Sequence, residues 1–492
     1  MEPSTPLLAR LSSRDLIFFG VTVTLAAIWV IQRLFFTISY PSNLPSLGGR
    51  SSFSLALRWR YHSDSIGLYK EVYEKYSKHD KTVLVPGLGF HDDVILPGSA
   101  LRWLQRQPER LIGASAAQTE VIQPYYGFGH DKFVNDPWTG MLNICSAMND
   151  ELGVAIDAHF GEETKAWKEI SLVPVMRMIV AQAATRFILG DSPIGNELCR
   201  NRDYLKACLH TSDALIINAG VGSMSPKLLR PLLGRLGGLI AKKQIKNLEK
   251  YFEPEVVNLQ DMNKRLCITN FGSMHQTSMQ TVNMLLNILD SDAEFNTISI
   301  LGDEVARVVG DDKSKGGWNK TRVAAMTRAD SVARETLRLY AFGARGMTRQ
   351  VVADGVVTED GIALPKGSMV SFIAYWSHTD PEMYEDPFKY DPFRFSRARE
   401  AEMDEQGKPG LSSLSFVSTG LQNLAFSHGK HACPGRFLVD FELKMITTYI
   451  LMNYDVELPP KYNGKRPQNT WVTEAYFPPG DCEIRVKRRE VR

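Results

Sequence analysis

Cysteine is scarce in this chain. Six are spread over 492 residues, at Cys145, Cys199, Cys208, Cys267, Cys433 and Cys482. None forms a Cys-x-x-Cys pair, and no His/Cys cluster has zinc-ligand spacing. A chain this long does not need a disulfide framework, and the scatter reads as a reducing compartment. Charge of one sign is missing too. The 57 basic and 55 acidic side chains leave +2, which gives no global pull toward nucleic acid. The chain has no glycine-rich nucleotide motif, no internal repeat and no low-complexity tract. What remains is a globular composition, 44% hydrophobic and 23% charged.

Long apolar runs are also rare, and one matters. Leu16 to Ile31 is apolar apart from its threonines; Gln32 and Arg33 interrupt it, and Leu34-Phe35-Phe36 resume it. Together they reach the ~20 residues a bilayer crossing needs, with Arg33 snorkelling. No small-x-small cleavage site follows, which disfavours a signal peptide. Pro41, Pro45, Gly48 and Gly49 read as a stiff hinge behind an anchor rather than the end of a core helix. Arg33, Arg50, Arg58 and Arg60 outweigh Arg10 and Arg14, which puts the remainder on the cytosolic side. The reading is an anchor over 1–40 and one large domain over 41–492.

One cysteine stands in an unusual setting. Phe426-Ser427-His428-Gly429-Lys430-His431-Ala432-Cys433-Pro434-Gly435 puts it between a glycine turn and a helix start. Pro434 suits a first helical turn, and Phe437, Leu438, Phe441, Met445 and Met452 recur at helical spacing. A helix N-terminus favours a thiolate over a thiol, and Gly429 and Gly435 leave room for a flat ligand. Upstream, residues 258 to 290 read as the longest helix, with Ser273, His275, Gln276, Thr277 and Ser278 interrupting its apolar face. Residues 322 to 340 read as another helix, carrying Glu335 and Arg338 on one face, and Asp391-Pro392-Phe393-Arg394-Phe395 follows. Strands are expected at 82–85, at 93–96 and in short runs between Arg349 and Phe372. Tyr125-Tyr126-Gly127-Phe128-Gly129 reads as a mobile aromatic loop, and Pro226 to Leu233 as a helix corner or a surface touching lipid.

These blocks, in this order, resemble the cytochrome P-450 superfamily. The Cys433 block is similar to its haem-binding loop, with His431 in the basic slot. Glu335, Arg338 and Arg394 match its Glu–Arg–Arg cluster, and Arg349 stands where relatives place a propionate-binding arginine. The tail from Pro459 to Pro479 resembles fungal members akin to ent-kaurene oxidase. Trp471, Tyr476 and Phe477 there would close the pocket or simply pack. The resemblance implies a mainly α fold with a small β region, the haem lying between the long central helix and the helix after the Cys loop. It implies haem (heme, iron protoporphyrin IX) with Cys433 as the axial thiolate and iron ligand. Phe426, Gly429, His431, Gly435, Arg349, Glu335, Arg338 and Arg394 would be its cofactor-binding residues.

The implied activity is that of a haem-thiolate monooxygenase. It would oxidise a small, apolar, secondary-metabolite-type substrate with O₂ and NADPH-derived electrons. The implied partners are an NADPH-dependent flavin reductase and a membrane, with no nucleic acid. The implied place is the endoplasmic reticulum membrane, single-pass, with the catalytic domain over 41–492 cytosolic. Lys430, His431, Arg436 and Lys444 would offer the reductase a basic face. The long helix departs from the family pattern. Gly272-Ser273-Met274-His275-Gln276-Thr277 has His275 in the acid slot and Gln276 where relatives carry the proton-delivering threonine. A Trp-x-x-x-Arg for a haem propionate is also missing. Catalytic roles therefore fall on His275, Gln276 and Thr277, with two alternatives open. Thr277 or Ser278 takes over proton delivery, or delivery is slow and the haem performs coupling, desaturation or rearrangement. A non-catalytic haem- or sterol-binding membrane protein is the remaining alternative.

Overall fold

A computed structural model describes residues 24, 27, 30–32 and 35–490, apart from 50–54, 90, 129–144, 253–258, 310–319 and 402–413. The expected anchor over 1–40 lies largely outside those residues. Among the described residues one helix, Leu172–Leu189, is long and apolar enough to cross a membrane, but 67% of it is buried inside the protein.

Beyond a short helix over Leu55–Ser63 comes α1 (Ser65–Lys75), where Asp64 Oδ1 accepts from the Gly67 N–H at 2.9 Å. A buried hairpin follows, β1 (Val83–Pro86) and β2 (Asp92–Ile95). Next come β3 (Ile112–Gly113), α2 (Ala114–Ile122), α3 (Pro124–Phe128) and α4 (Cys145–Phe160). The helical mass continues through β4 (Lys168–Ser171), α5 (Leu172–Leu189), α6 (Arg202–Met224) and α7 (Arg230–Glu249). Then come α8 (Leu259–Phe295), α9 (Thr297–Val309) and α10 (Thr327–Tyr340). Two longer strands, β5 (Arg345–Val351) and β6 (Met369–Ile373), precede α11 (Arg394–Ala401) and α12 (Arg436–Asn453). The chain ends in β7 (Tyr454–Glu457), β8 (Thr470–Val472), β9 (Ala475–Phe477) and β10 (Glu483–Arg488).

The core is helical. Leu152 and Ile156 of α4, Met176 and Ile179 of α5, Val282 and Leu285 of α8, Val332 of α10 and Ile446 of α12 share one buried cluster. Each such side chain contributes about 1.5–3 kcal/mol on burial. α8 crosses the middle, packed against α5, α6, α10 and α12. A five-stranded sheet in the order β1-β2-β6-β5-β3 flanks it; β2 and β6 run parallel, pairing Val94 with Val370. A smaller sheet runs β4-β10-β7.

Some expectations needed revision. The aromatic stretch at 125–128 is the helix α3, and Gly129 lies outside the described residues. Its backbone lies against α7, where a Cβ on Gly238 would sit 2.2 Å from the Tyr126 carbonyl oxygen. Glycine permits that approach, and the approach fixes the turn. The helix expected over 322–340 breaks, because Glu304 of α9 accepts from the N–H groups of Arg328 (2.8 Å) and Ala329 (2.9 Å) and so caps a new start at Thr327. Pro226 to Leu229 is a corner between α6 and α7, and Leu228 and Leu232 are exposed around it.

Candidate active site

Cys433 N–H donates to the Phe426 carbonyl at 2.8 Å, which closes the eight residues 426–433 into a loop. Inside the loop, Ser427 (φ 61°) and Gly429 (φ 75°) are both left-handed. A Cβ on Gly429 would meet Gln105 Cγ at 2.7 Å, so this position needs glycine twice over. α12 begins at Arg436, with Gly435 as its cap. Arg436 Nη1 donates to the Cys433 carbonyl at 2.7 Å and ties the loop to the helix.

Across from the loop lies α8. Between them is a cavity of about 370 Å³, within the range of small-molecule sites. Phe426, Cys433, Gly435, Leu438 and Val439 form one wall. Gly272, Ser273, Gln276, Thr277 and Gln280 form the opposite one, and Phe271, Ile122 and Phe342 close the sides. The lining is mainly apolar, and most of its polar groups sit on α8.

Burial pushes the Cys433 thiol up from its ordinary pKa, against the pull of the Gly435 and Arg436 N–H groups and the Arg436 charge. The helix start pulls toward the thiolate as expected, and desolvation of the sulfur works against it. A sulfur in this setting ionises against a cation, which a metal centre supplies.

Away from the cavity lining, Glu335 and Arg338 meet bidentately, with Nε–Oε2 and Nη2–Oε1 both 2.7 Å. Arg394 Nε reaches Glu335 Oε1 at 3.2 Å, and Arg338 Nη1 holds the carbonyls of His378 (2.9 Å) and Pro387 (2.6 Å). Glu335 and Arg338 are fully buried. None of the three lines the cavity; they clamp the segment that leads to the Cys433 loop.

The cytochrome P450 family model matches residues 141–484. The chain belongs to the cytochrome P450 family. It is 44% identical to the cytochrome P450 monooxygenase astC of Aspergillus terreus, covering 94% of each chain. It is equally identical, 44% with the same 94% coverages, to pbrC of Penicillium brasilianum. It is 35% identical to tenB of Beauveria bassiana, covering 96% of each. All three are cytochrome P450 monooxygenases, and this P450 is an oxidoreductase enzyme of the same kind. That sets aside the non-catalytic binder. The fold is shared with a retinoic acid-bound cyanobacterial P450, CYP120A1, at TM-score 0.62 and 16% identity, over 92% of this chain and all of that one.

The family implies haem with a cysteine ligand, and the residues of this P450 fit such a group. Cys433 Sγ faces a cavity whose near wall carries Gly435, where a Cβ would stand 3.7 Å from the sulfur. Arg349 is buried, yet its partners are the Thr348 carbonyl (2.8 Å) and Ser427 Oγ (3.3 Å), and no carboxylate bridges it among the described residues. Burial lowers its proton affinity, as for a guanidinium short of an anion. A haem propionate would answer that.

The remaining expected residues divide. Gln276 and Thr277 line the cavity, and Ser278 instead bonds back to the Met274 carbonyl. His275 turns away, its Nε2 3.2 Å from Asp213 on α6, which also takes Arg177. His431 turns to Glu109 at 3.0 Å, and burial holds its pKa down against that carboxylate. Lys444 is not part of a basic face. It is buried and paired with Asp330 (2.9 Å) and Asp440 (2.7 Å), because its helix face points into the core. Trp471 stacks on Tyr476 at 4.2 Å, and Phe477 meets the cavity residue Phe342 edge-on at 5.5 Å. Ser273, singled out from the sequence among the polar residues of the long helix, lines the cavity; Phe271, read only as part of the helix's apolar spacing, lines it too. Sequence reasoning missed Glu442, discussed below.

Proposed function

We propose that this P450 inserts one oxygen of O₂ into a small, mainly apolar organic molecule of secondary metabolism, with electrons from NADPH through a separate flavin reductase. The observation that carries this reading is the apolar cavity between Cys433 and Thr277. Cys433 would bind the haem iron as a thiolate, and Arg349 would hold a propionate. When bound, the haem supplies dioxygen activation, which the electron-donating thiolate favours. The chain's own residues do the rest. Phe271, Ile122 and Phe342 would orient the substrate and exclude water. Thr277 would hold and pass protons, since a hydroxyl both donates and accepts. Gln276 beside it does not ionise. Glu335, Arg338 and Arg394 would keep the cysteine loop in register.

The proposed setting is the endoplasmic reticulum membrane, with an anchor over 1–40 and the catalytic domain over 41–492 in the cytosol. Exposed Leu228, Leu232, Leu236 and Leu239 near the α6–α7 corner add apolar surface that suits this. Incubating microsomes holding the full chain with NADPH, reductase and a metabolite extract tests the reading. A product heavier by one oxygen supports it. Products lighter by two hydrogens, or coupled dimers, would move the reading to desaturation or coupling.

A further inference from the structure

Among the described residues, Arg345 is the only charged one lining the cavity. It opens β5 just after the cavity residues Phe342 and Gly343. A guanidinium on a mainly apolar lining is costly to desolvate and needs its N–H groups answered. Two carboxylates answer part of it. Nε donates to Glu474 Oε2 and Nη1 to Asp93 Oδ2, both at 2.7 Å, and Nη1 also reaches Ser371 Oγ at 3.3 Å. These partners come from the turn between β8 and β9, from β2 and from β6. Tyr61 and Tyr69 donate to the other Glu474 oxygen, and His91 Nε2 stands 3.3 Å from Asp93. Burial works against the Arg345 charge, and Glu474, Tyr69 and Asp93 outweigh it. The fork is therefore charged and held in place. Its remaining nitrogen, Nη2, has no partner among the described residues, and the side chain keeps 11% of its surface open.

We propose that Arg345 is the specificity-determining residue of this cavity: Nη2 donates to a neutral oxygen, a carbonyl or hydroxyl, that the substrate carries before this enzyme acts on it. This rests on the monooxygenase reading above and narrows its substrate to an apolar skeleton with an oxygen already in place. Charge decides against a carboxylate. One guanidinium already faces two carboxylates, so with His91 neutral the cluster holds an excess negative charge. A third anion would meet repulsion in a poorly screened site. The same excess turns away a haem propionate, for which Arg349 has no competing carboxylate among the described residues. A neutral acceptor takes the open N–H without that repulsion, and a fork already fixed loses little freedom on binding it. A hydrocarbon leaves Nη2 desolvated and unanswered, which is the stronger form of discrimination. In the reaction sequence, a step that installs oxygen on the skeleton must then come before this one.

The test uses the full-length, haem-loaded protein and three probes on one skeleton: decalin, its ketone decalone, and decalin carboxylate. Binding is followed by calorimetry and by the haem spin-state shift. Wild type should bind the ketone about tenfold or more tighter than the hydrocarbon, the effect of one hydrogen bond to a charged group. It should bind the carboxylate more weakly than the ketone. Arg345→Met should bring ketone and hydrocarbon within about twofold of each other. Glu474→Gln removes one anion and keeps the fork, so the carboxylate should gain several-fold on the ketone. That variant decides the matter if Arg345→Met does not hold haem. With NADPH, reductase and a metabolite extract, the compound consumed should contain oxygen before turnover.

Equal or absent binding of ketone and hydrocarbon in wild type overturns the proposal. So does a carboxylate preferred to the ketone, an unchanged ratio in Glu474→Gln, or consumption of a pure hydrocarbon. A wild type without a thiolate-haem signal would instead overturn the functional reading, and calorimetry with the three probes would still decide whether Arg345 selects an oxygen.

Discussion

Glu335 and Glu442 are equally buried, and they stand in opposite surroundings. Glu335 has a bidentate arginine, a second arginine and the Asp391 N–H at 3.2 Å. Glu442 has one threonine. The first carboxylate is fully answered and lies off the cavity; the second is unanswered and lies behind its wall. A buried carboxyl can stay ionised and hold chain segments together, or stay neutral and keep a proton. The partners decide which.

The comparison breaks most sharply at Glu335. Glu335→Ala leaves two arginines facing each other without their anion and should cost about 3–5 kcal/mol. Haem-loaded protein should then be nearly absent from expression assays. A variant that folds, holds haem normally and only turns over slowly would remove the structural role.

Glu442→Gln should do the reverse and stabilise the fold as pH rises. The carboxyl's folded pKa is raised to about 8 from 4.5, so the native state holds the extra proton between those values. Native stability therefore falls with rising pH across that window and levels off above it. By pH 7 the variant should have gained roughly 3 kcal/mol relative to its difference from wild type at acid pH. Guanidinium midpoints from pH 5 to 9 check this; a difference that does not change with pH contradicts it.

Arg349 sharpens the contrast from the cationic side. It is a buried guanidinium with no carboxylate ion pair among the described residues, unlike Arg338. Arg349→Ala should weaken haem retention by about 1.5–3 kcal/mol, the worth of a charged hydrogen bond, while the fold of the haem-free chain is kept. Haem transfer to an acceptor apoprotein measures it; an unchanged transfer rate would mean that no propionate lies there. The smallest effect should come from Gln276→Thr. With Thr277 already at the cavity wall, a second hydroxyl should change product ratios less than about twofold, well under 1 kcal/mol. A large swing toward oxygen insertion would give Gln276 the special chemistry considered from the sequence.

Much of this was legible in the chain. The cysteine loop was, because Gly429, Cys433 and Pro434 each answer a local backbone demand. The central helix was, because its apolar spacing is long and regular. The Glu335–Arg338 pairing was, because three residues along a helix is one face. Residues whose fate depends on distant partners were not. Lys444 reads as a surface lysine until Asp330 arrives from 114 positions away. His275 reads as a cavity residue until Asp213 of α6 takes it. The break before Thr327 needs Glu304, and the α3 helix needs the glycines of α7. Glu442 gave no signal, since a carboxylate on an amphipathic helix is ordinary until its neighbours prove apolar.

The central claim is that Cys433 binds haem iron as a thiolate. It is tested most directly by the carbon monoxide spectrum of the reduced full-length protein. The account predicts the red-shifted Soret band of a thiolate-ligated haem, lost in Cys433→Ser and kept in Cys482→Ser. An active protein whose band is that of histidine ligation, or one that survives Cys433→Ser, would contradict it.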